Sequence, residues 1–202
     1  MKICIDPGHP SEVGEGARGK KLTEIHAAWQ VAKRLETLLA TAGHTVKLTK
    51  SREREFVKNR RRAEIANAFQ ADLLVRLHCD SEGGTGFWTY FPDRPGTDAT
   101  GKRGPSPEII AACKLKAPKF HAALAAELKG VLRNNGCLPD IRTAVGSKQG
   151  ALTGSIWSQV PVVLVEMCVL TNARDEAFLL SDSGQERMAK ALAAGVEAAL
   201  AG

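Results

Sequence analysis

Apolar residues along the chain fall into two patterns. Short, largely apolar runs at residues 3–5, 73–77 and 160–169 are typical of buried strands. The longer stretches that follow Thr23 and Gln185 carry an apolar residue every third or fourth position, which predicts amphipathic helices. Because the strands alternate with helices, the pattern indicates an α/β fold with a mostly parallel sheet.

The complete series of elements predicts a twisted sheet of about five or six strands with helices on both faces. Further strands are predicted at residues 44–49 and 87–91, with a weak one near 142–145. Further helices are predicted at about 57–69, 118–134 and 175–180, with a short one starting near Ser106.

Residues 92–117 break the regular pattern with several prolines and glycines. We interpret this segment as an excursion within one domain, 1–202, because the residues on neither side of it would complete the sheet alone. A length of 202 residues suits one such domain with a sizeable core.

The composition is that of an ordinary globular protein, with 44% hydrophobic and 25% charged residues. No apolar run approaches the roughly 18 residues of a membrane span, and no signal peptide is visible. We therefore expect synthesis in the cytoplasm, with the site of action reached by release or by an export route that these residues do not reveal. The five cysteines form no C-x-x-C pair, and Cys4, Cys79 and Cys168, which lie in or beside predicted strands, are expected to be small buried residues.

The formal net charge of +6 favours an anionic partner. Charge alone does not distinguish nucleic acid from an anionic cell wall, although no nucleic-acid-binding motif is present. The basic run at residues 52–62 predicts a solvated helix face, with attraction to an anionic surface as its functional alternative.

Three predicted strands end in residues that carry chemistry. His9 follows a strand that stops at Pro7 and Gly8, His78 ends the run from Leu73, and Glu166 ends the most apolar run in the chain. Ligands of open α/β sheets bind at the carboxyl ends of the strands. The sequence therefore predicts that these side chains lie near one site.

Two neutral imidazoles and one carboxylate form a catalytic zinc site with a fourth position open to water. The candidate carboxylates are Glu12, Glu15 and Glu24. We prefer Glu24, because Thr23 predicts a helix N-cap there and a helix start holds a side chain better than a loop does.

Glu166 is the predicted catalytic residue. A carboxylate at the end of an apolar strand is costly to bury unless it is paired or protonated. Beside a zinc site it has a role, which is to accept a proton from water and to pass it to a leaving amine. Asp80 is either a residue that orients a ligating imidazole or a turn-forming aspartate.

Five segments of the chain follow one another in the order seen in one family. These segments are residues 5–9, 22–24, 61–67, 72–79 and 161–172. The chain resembles the zinc-dependent N-acetylmuramoyl-L-alanine amidases of the amidase-3 type over nearly its whole length. The resemblance implies zinc ligation by His9, Glu24 and His78, and catalysis by Glu166.

The same resemblance implies the substrate, which is the amide between the lactyl group of N-acetylmuramic acid and the L-alanine of the peptidoglycan stem. It implies cell-wall degradation or remodelling, as by an autolysin or an endolysin. Three segments depart from the family pattern, with Pro10-Ser11, Cys79-Asp80 and Cys168-Val-Leu-Thr-Asn172 in place of Gly-Gly, Ala-Asn and Gly-Phe-Leu-Ser-Asn. The ligands survive these changes, whereas the loops around the metal differ.

Two other functions remain open from the sequence. One is a zinc peptidase that acts on free peptides, and the other is a non-catalytic, basic cell-wall-binding domain. We expect Zn²⁺ as the cofactor and peptidoglycan as the partner, with no nucleic acid, no membrane span and a monomeric state.

Overall fold

The computed structural model describes residues 1–201 and has the predicted α/β architecture. Its strands are β1 Lys2–Pro7, β2 Thr45–Leu48, β3 Leu73–Asp80, β4 Phe87–Phe91, β5 Gly96–Thr97, β6 Arg103–Gly104, β7 Asn134–Pro139 and β8 Val162–Val169. Its helices are α1 Glu24–Thr41, α2 Asn59–Phe69, α3 Pro107–Glu127, α4 Gly146–Gln149, α5 Thr153–Ile156, α6 Ala173–Leu180 and α7 Asp182–Leu200, with a short 3₁₀ turn at Asp140–Arg142.

The main sheet has six strands within the described residues, in the order β2-β1-β3-β8-β4-β7. All neighbouring strands are parallel except β4 and β8, which are antiparallel. The predicted mostly parallel sheet is confirmed. β8 lies between β3 and β4, and its apolar run is buried on both faces as the sequence predicts.

Alternate residues of each strand face opposite layers of helices. Ile3 and Ile5 face the larger core, which contains the apolar sides of α1, α3 and α7. Cys4 faces the smaller core beneath α2. Helices therefore cover both faces, and the carboxyl ends of β1, β3 and β8 are left to form one edge where polar side chains meet.

The predicted break between two helices near residue 118 is wrong. α3 is one helix from Pro107 to Glu127, capped by the Ser106 hydroxyl, and Pro118 lies inside it. Pro118 has no N–H to donate to the carbonyl of Lys114, but both residues are exposed, so water can satisfy that carbonyl. Burial of Cys113, Ala117 and Phe120 along one side keeps the helix continuous.

The weak strand predicted near residues 142–145 is also wrong. The strand lies earlier, at β7, where it pairs in parallel with β4 at the edge of the sheet. The helix predicted to reach residue 134 ends at Glu127, and Gly136 lies inside β7 with φ +102° at a shift in the β4–β7 register.

The proline- and glycine-rich excursion contains one small regular unit. β5 and β6 form an antiparallel pair between Phe91 and α3, and the last residues of the excursion are already helical. All five cysteines are unpaired, and Cys4, Cys79 and Cys168 are buried as predicted. Across residues 1–201, no helix combines the length and apolar character that a membrane crossing requires.

Candidate active site

His9, Glu24 and His78 converge at the carboxyl edge of the sheet. One nitrogen of each imidazole and one oxygen of Glu24 all lie within 4.8 Å of one another. Glu24 Oε1 is 2.9 Å from His78 Nδ1 and 3.6 Å from His9 Nε2, and the two imidazole rings stand edge to face, 5.3 Å apart. The two nitrogens and one oxygen are the donor set of a catalytic zinc site.

His9 is held by the loop that follows it. Its Nδ1 lies 2.9 Å from the carbonyl oxygen of Gly14, so an Nδ1–H tautomer leaves the Nε2 lone pair free for a metal. The His9 backbone has φ +48°, and the Lys50 ammonium donates to its carbonyl over 2.5 Å. Gly16 packs against the ring so closely that a Cβ there would lie 2.6 Å from His9 Cδ2. The imidazole is therefore fixed before any ligand binds.

Glu24 occupies the first turn of α1. The start of this helix is fixed by the Thr23 hydroxyl, which accepts a hydrogen bond from the His26 N–H. The carboxylate also accepts the backbone N–H groups of Ala17 and Cys79, at 2.6 and 3.1 Å. This residue is 2% exposed, which makes it a buried, oriented carboxylate rather than a surface charge.

The other candidate carboxylates have different partners. Glu12 accepts the backbone N–H of Asn59 at the start of α2, and Glu15 pairs with Arg54. The convergence of Glu24 with the two histidines therefore supports the preference for Glu24 made from the sequence.

The state of His78 suits metal ligation. Burial lowers the pKa of its imidazole, even though Glu24 opposes that shift. A lowered pKa favours the neutral ring, which is the form that ligates metals. Its Nε2 atom is buried and has no hydrogen-bond partner among the described residues.

Glu166 lines a cavity of about 210 Å³, and His9 and His78 line the same cavity. The β3–β8 register places Glu166 directly beside His78. Its Oε2 atom is buried without a hydrogen-bond partner within the described chain. Burial, together with the nearby carboxylates of Glu24 and Asp80, raises the pKa of Glu166 well above its usual value. An unpaired carboxyl group of this kind is suited to proton transfer.

The sequence of this chain matches a known protein family. A family model described as N-acetylmuramoyl-L-alanine amidase (Amidase_3) matches residues 3–198. The chain belongs to this family. The resemblance found in the sequence is thereby confirmed over almost the entire chain.

The chain is also similar in sequence to individual members of the amidase family. The chain is 31% identical over 163 residues to the sporulation-specific N-acetylmuramoyl-L-alanine amidase of Bacillus subtilis (strain 168), covering 77% of this chain and 64% of that protein. It is 29% identical over 193 residues to the N-acetylmuramoyl-L-alanine amidase LytC of the same organism, covering 94% of this chain and 34% of that one. The chain therefore spans about two thirds or less of the length of these curated relatives.

A solved structure shows the same fold. The catalytic domain of CwlV, an N-acetylmuramoyl-L-alanine amidase from Bacillus (Paenibacillus) polymyxa var. colistinus, superposes with a TM-score of 0.75 at 25% identity. The match covers 96% of this chain and 95% of that domain.

Asp80 is engaged in a local turn in this amidase-family chain. Its Oδ1 accepts the backbone N–H groups of Ser81 and Glu82, at 2.6 and 2.8 Å. Within residues 1–201 no hydrogen bond joins it to either histidine of the cluster. The structure therefore favours the turn-forming alternative, and the contact that orients an imidazole is made by Gly14 instead.

Sequence analysis missed a buried ion network behind the site. Asp6, which is fully buried, accepts a hydrogen bond from Arg62 at 2.6 Å and one from Arg76 at 2.8 Å. Arg62 also donates to the carbonyls of Pro7 and Pro10, and so fixes the turn that presents His9. The predicted solvated face is thus wrong for Arg62, which is 1% exposed.

Proposed function

We propose that this chain hydrolyses the amide between the lactyl group of N-acetylmuramic acid and the L-alanine of the peptidoglycan stem, with zinc as cofactor. The single observation that carries the proposal is the convergence of two imidazoles with the buried carboxylate of Glu24, at a cavity lined by both imidazoles and by Glu166, whose Oε2 has no hydrogen-bond partner within residues 1–201. Membership of the amidase family and the names of the relatives support the choice of substrate.

His9, Glu24 and His78 would hold the zinc ion. Zinc bound there supplies a Lewis acid that polarises an amide carbonyl and lowers the pKa of water to about 7. The chain itself fixes the donor atoms, since the backbone groups of Gly14, Ala17 and Cys79 orient His9 and Glu24.

Glu166 would move the proton. Its carboxylate accepts the proton of the attacking water, and the resulting acid donates it to the nitrogen of L-alanine as the amide bond breaks. The raised pKa of Glu166 supports the first part of this role, because it makes the carboxylate a stronger base towards the attacking water. Arg76 lines the same cavity, and its positive charge opposes part of the rise in the pKa of Glu166.

The proposed setting is the cell wall, where the chain would act as a monomer on peptidoglycan during wall degradation or remodelling. The net charge of +6 supports attraction to an anionic wall. We propose synthesis in the cytoplasm and action at the wall after release or export.

The test is digestion of purified peptidoglycan with and without a chelator, followed by analysis of the new chemical ends. We expect stem peptides with free L-alanine amino termini and no new reducing sugars, complete loss of activity on chelation, and recovery with zinc. Cleavage of free peptides alone would favour a peptidase. Binding to the wall without cleavage, unaffected by chelation, would favour a non-catalytic domain.

A further inference from the structure

Arg76 is a buried cation at the base of the active-site cavity. It is 3% exposed and lines the same cavity as His78 and Glu166. Neither the proposed metal site nor the proposed proton transfer uses a hydrogen bond from this guanidinium group. Its contacts therefore raise the question of which group it binds.

One end of the guanidinium forms no hydrogen bond in the described chain, and that end lies beside Gly154, which also lines the cavity. Its Nε donates to Asp6 Oδ2 at 2.8 Å, and its Nη2 donates to Asn59 Oδ1 at 2.6 Å. Nη1 donates to no acceptor in the part of the chain that the structure describes. Gly154 faces it, and a Cβ on that glycine would overlap Nη1 and lie 2.7 Å from Cζ. The absence of a side chain at position 154 thus leaves room beside the unbonded end of Arg76.

The charges around Arg76 favour an anion in the cavity. The single carboxylate of Asp6 is shared between the buried guanidinium groups of Arg62 and Arg76. One positive charge in this buried set therefore lacks a bonded carboxylate, and a buried, incompletely paired charge is unfavourable. Glu166 and Asp140 interact with Arg76 electrostatically, but no hydrogen bond joins either of them to it in the described chain. A substrate carboxylate would complete the set through charge-assisted hydrogen bonds, for which a guanidinium is well suited.

The spacing matches a group two residues away from the scissile amide. Arg76 and His78 are alternate residues of β3, so their side chains lie on one face of the strand. Their Cα atoms are about 7 Å apart. Two residues of an extended peptide also span about 7 Å. A stem peptide that runs along β3 from a scissile amide at His78 towards Arg76 would therefore place its second residue near Arg76.

Part of the remaining cavity wall is apolar and suits the uncharged parts of such a peptide. Val13 and Val145 line the cavity and are exposed to 64% and 42%, which leaves both side chains free to contact a substrate. Leu152 and Leu164 complete this wall.

We propose that Arg76 binds a carboxylate carried by the second residue of the stem peptide and thereby selects substrates that have one. This inference rests on the proposed amidase function. The alternative is that Arg76 acts only on the charge of Glu166, in which case it would affect all substrates equally.

The test compares two soluble N-acetylmuramoyl-L-alanyl dipeptides whose second residue carries either a carboxylate or a carboxamide on its α-carbon. For the wild-type protein we expect kcat/KM to be about tenfold or more higher for the carboxylate substrate, with the difference mainly in KM. Equal kcat/KM values for the two substrates would overturn the inference about Arg76 and leave the proposed function intact. Hydrolysis of neither would refute the proposed function.

Two variants assign the preference to Arg76. Arg76→Gln removes the cation, and Gly154→Ala keeps Arg76 but fills the space beside Nη1, so both should abolish the preference by raising KM for the carboxylate substrate. Gly154→Ala keeps the test decisive if Arg76→Gln fails to fold, because Gly154 is helical and does not need a positive φ. Arg61→Gln is the control, since Arg61 is an exposed arginine of α2, and it should leave the preference unchanged. An equal fall in kcat on both substrates, or a preference that survives Gly154→Ala, would overturn the assignment.

Discussion

Asp6 is the residue whose replacement tests the buried ion network most severely. Its carboxylate is completely buried and bonds to Arg62 and Arg76, which are 1% and 3% exposed. Asp6→Asn keeps the size of the side chain but leaves two buried guanidinium groups without a counter-charge. Removal of one partner from a buried ion pair costs about 3–5 kcal/mol. For a chain of this length the melting temperature should fall by roughly 6–20 °C.

The assay is equilibrium unfolding by urea, monitored by circular dichroism at pH 7, for the wild-type protein and Asp6→Asn. The matched control is Asp182→Asn, which removes a carboxylate that pairs with Arg34 at 2.7 Å but is 96% exposed. The control should lose about 1 kcal/mol or less. If Asp6→Asn lost no more stability than Asp182→Asn, the reasoning about buried charge in this chain would be refuted.

The pH dependence of this effect has a defined sign. Burial alone would raise the pKa of Asp6, but Arg62, Arg76 and the Thr49 hydroxyl together hold it well below its usual range. The stabilisation is therefore complete above the unfolded-state pKa of about 4 and is lost as the pH falls through the lower folded-state pKa. The difference between wild type and Asp6→Asn should shrink below about pH 4, and a constant difference at all pH values would contradict this assignment.

Two further predictions concern the neighbourhood of the metal cluster. Gly16→Ala should weaken zinc binding, measured by competition with a chelator, because Gly16 has φ +80° and a Cβ there would meet both Glu24 and His9; unchanged zinc affinity would show that this loop does not set the cluster. Thr23→Ala should destabilise the protein to urea by about 0.5–2 kcal/mol, because it removes the cap of α1; no loss of stability would contradict the capping role.

The strand ends could be predicted from the sequence because their signals are local. An apolar run followed by Pro7 and Gly8 fixes where β1 stops, and the runs before His78 and Glu166 act in the same way. Parallel strands then bring these ends to one edge by topology alone. Thr23 marks the start of α1 because its hydroxyl caps the helix, so the position of Glu24 could also be predicted from the sequence.

The ion network could not be predicted in this way. Arg62 stands in a run of basic residues that resembles a solvated helix face, and its burial depends on Asp6, which is distant in sequence. Arg76 interrupts an apolar strand, and only the folded structure shows that its Nε and Nη2 donate to Asp6 and Asn59. The pairing of distant charges is a property of the tertiary structure, and a pattern of single residues carries no signal for it.

The two misplaced elements have the same kind of cause. Pro118 predicts a helix boundary from local geometry, but packing of the neighbouring buried residues against α7 outweighs one missing hydrogen bond. β7 contains Asn134, Gly136 and Pro139, which favour turns, yet the exposed edge of β4 supplies partners for its backbone. Tertiary contacts overrode local propensity in both places.

The measurement that tests the central claim most directly is zinc content together with turnover for the wild-type protein and Glu166→Gln. The proposed site requires that both bind one zinc ion per chain, and that Glu166→Gln lose at least about a hundredfold in kcat on peptidoglycan. Normal turnover by Glu166→Gln would remove Glu166 from the mechanism. A fully active wild-type protein without zinc would contradict the assignment of His9, Glu24 and His78 as its ligands.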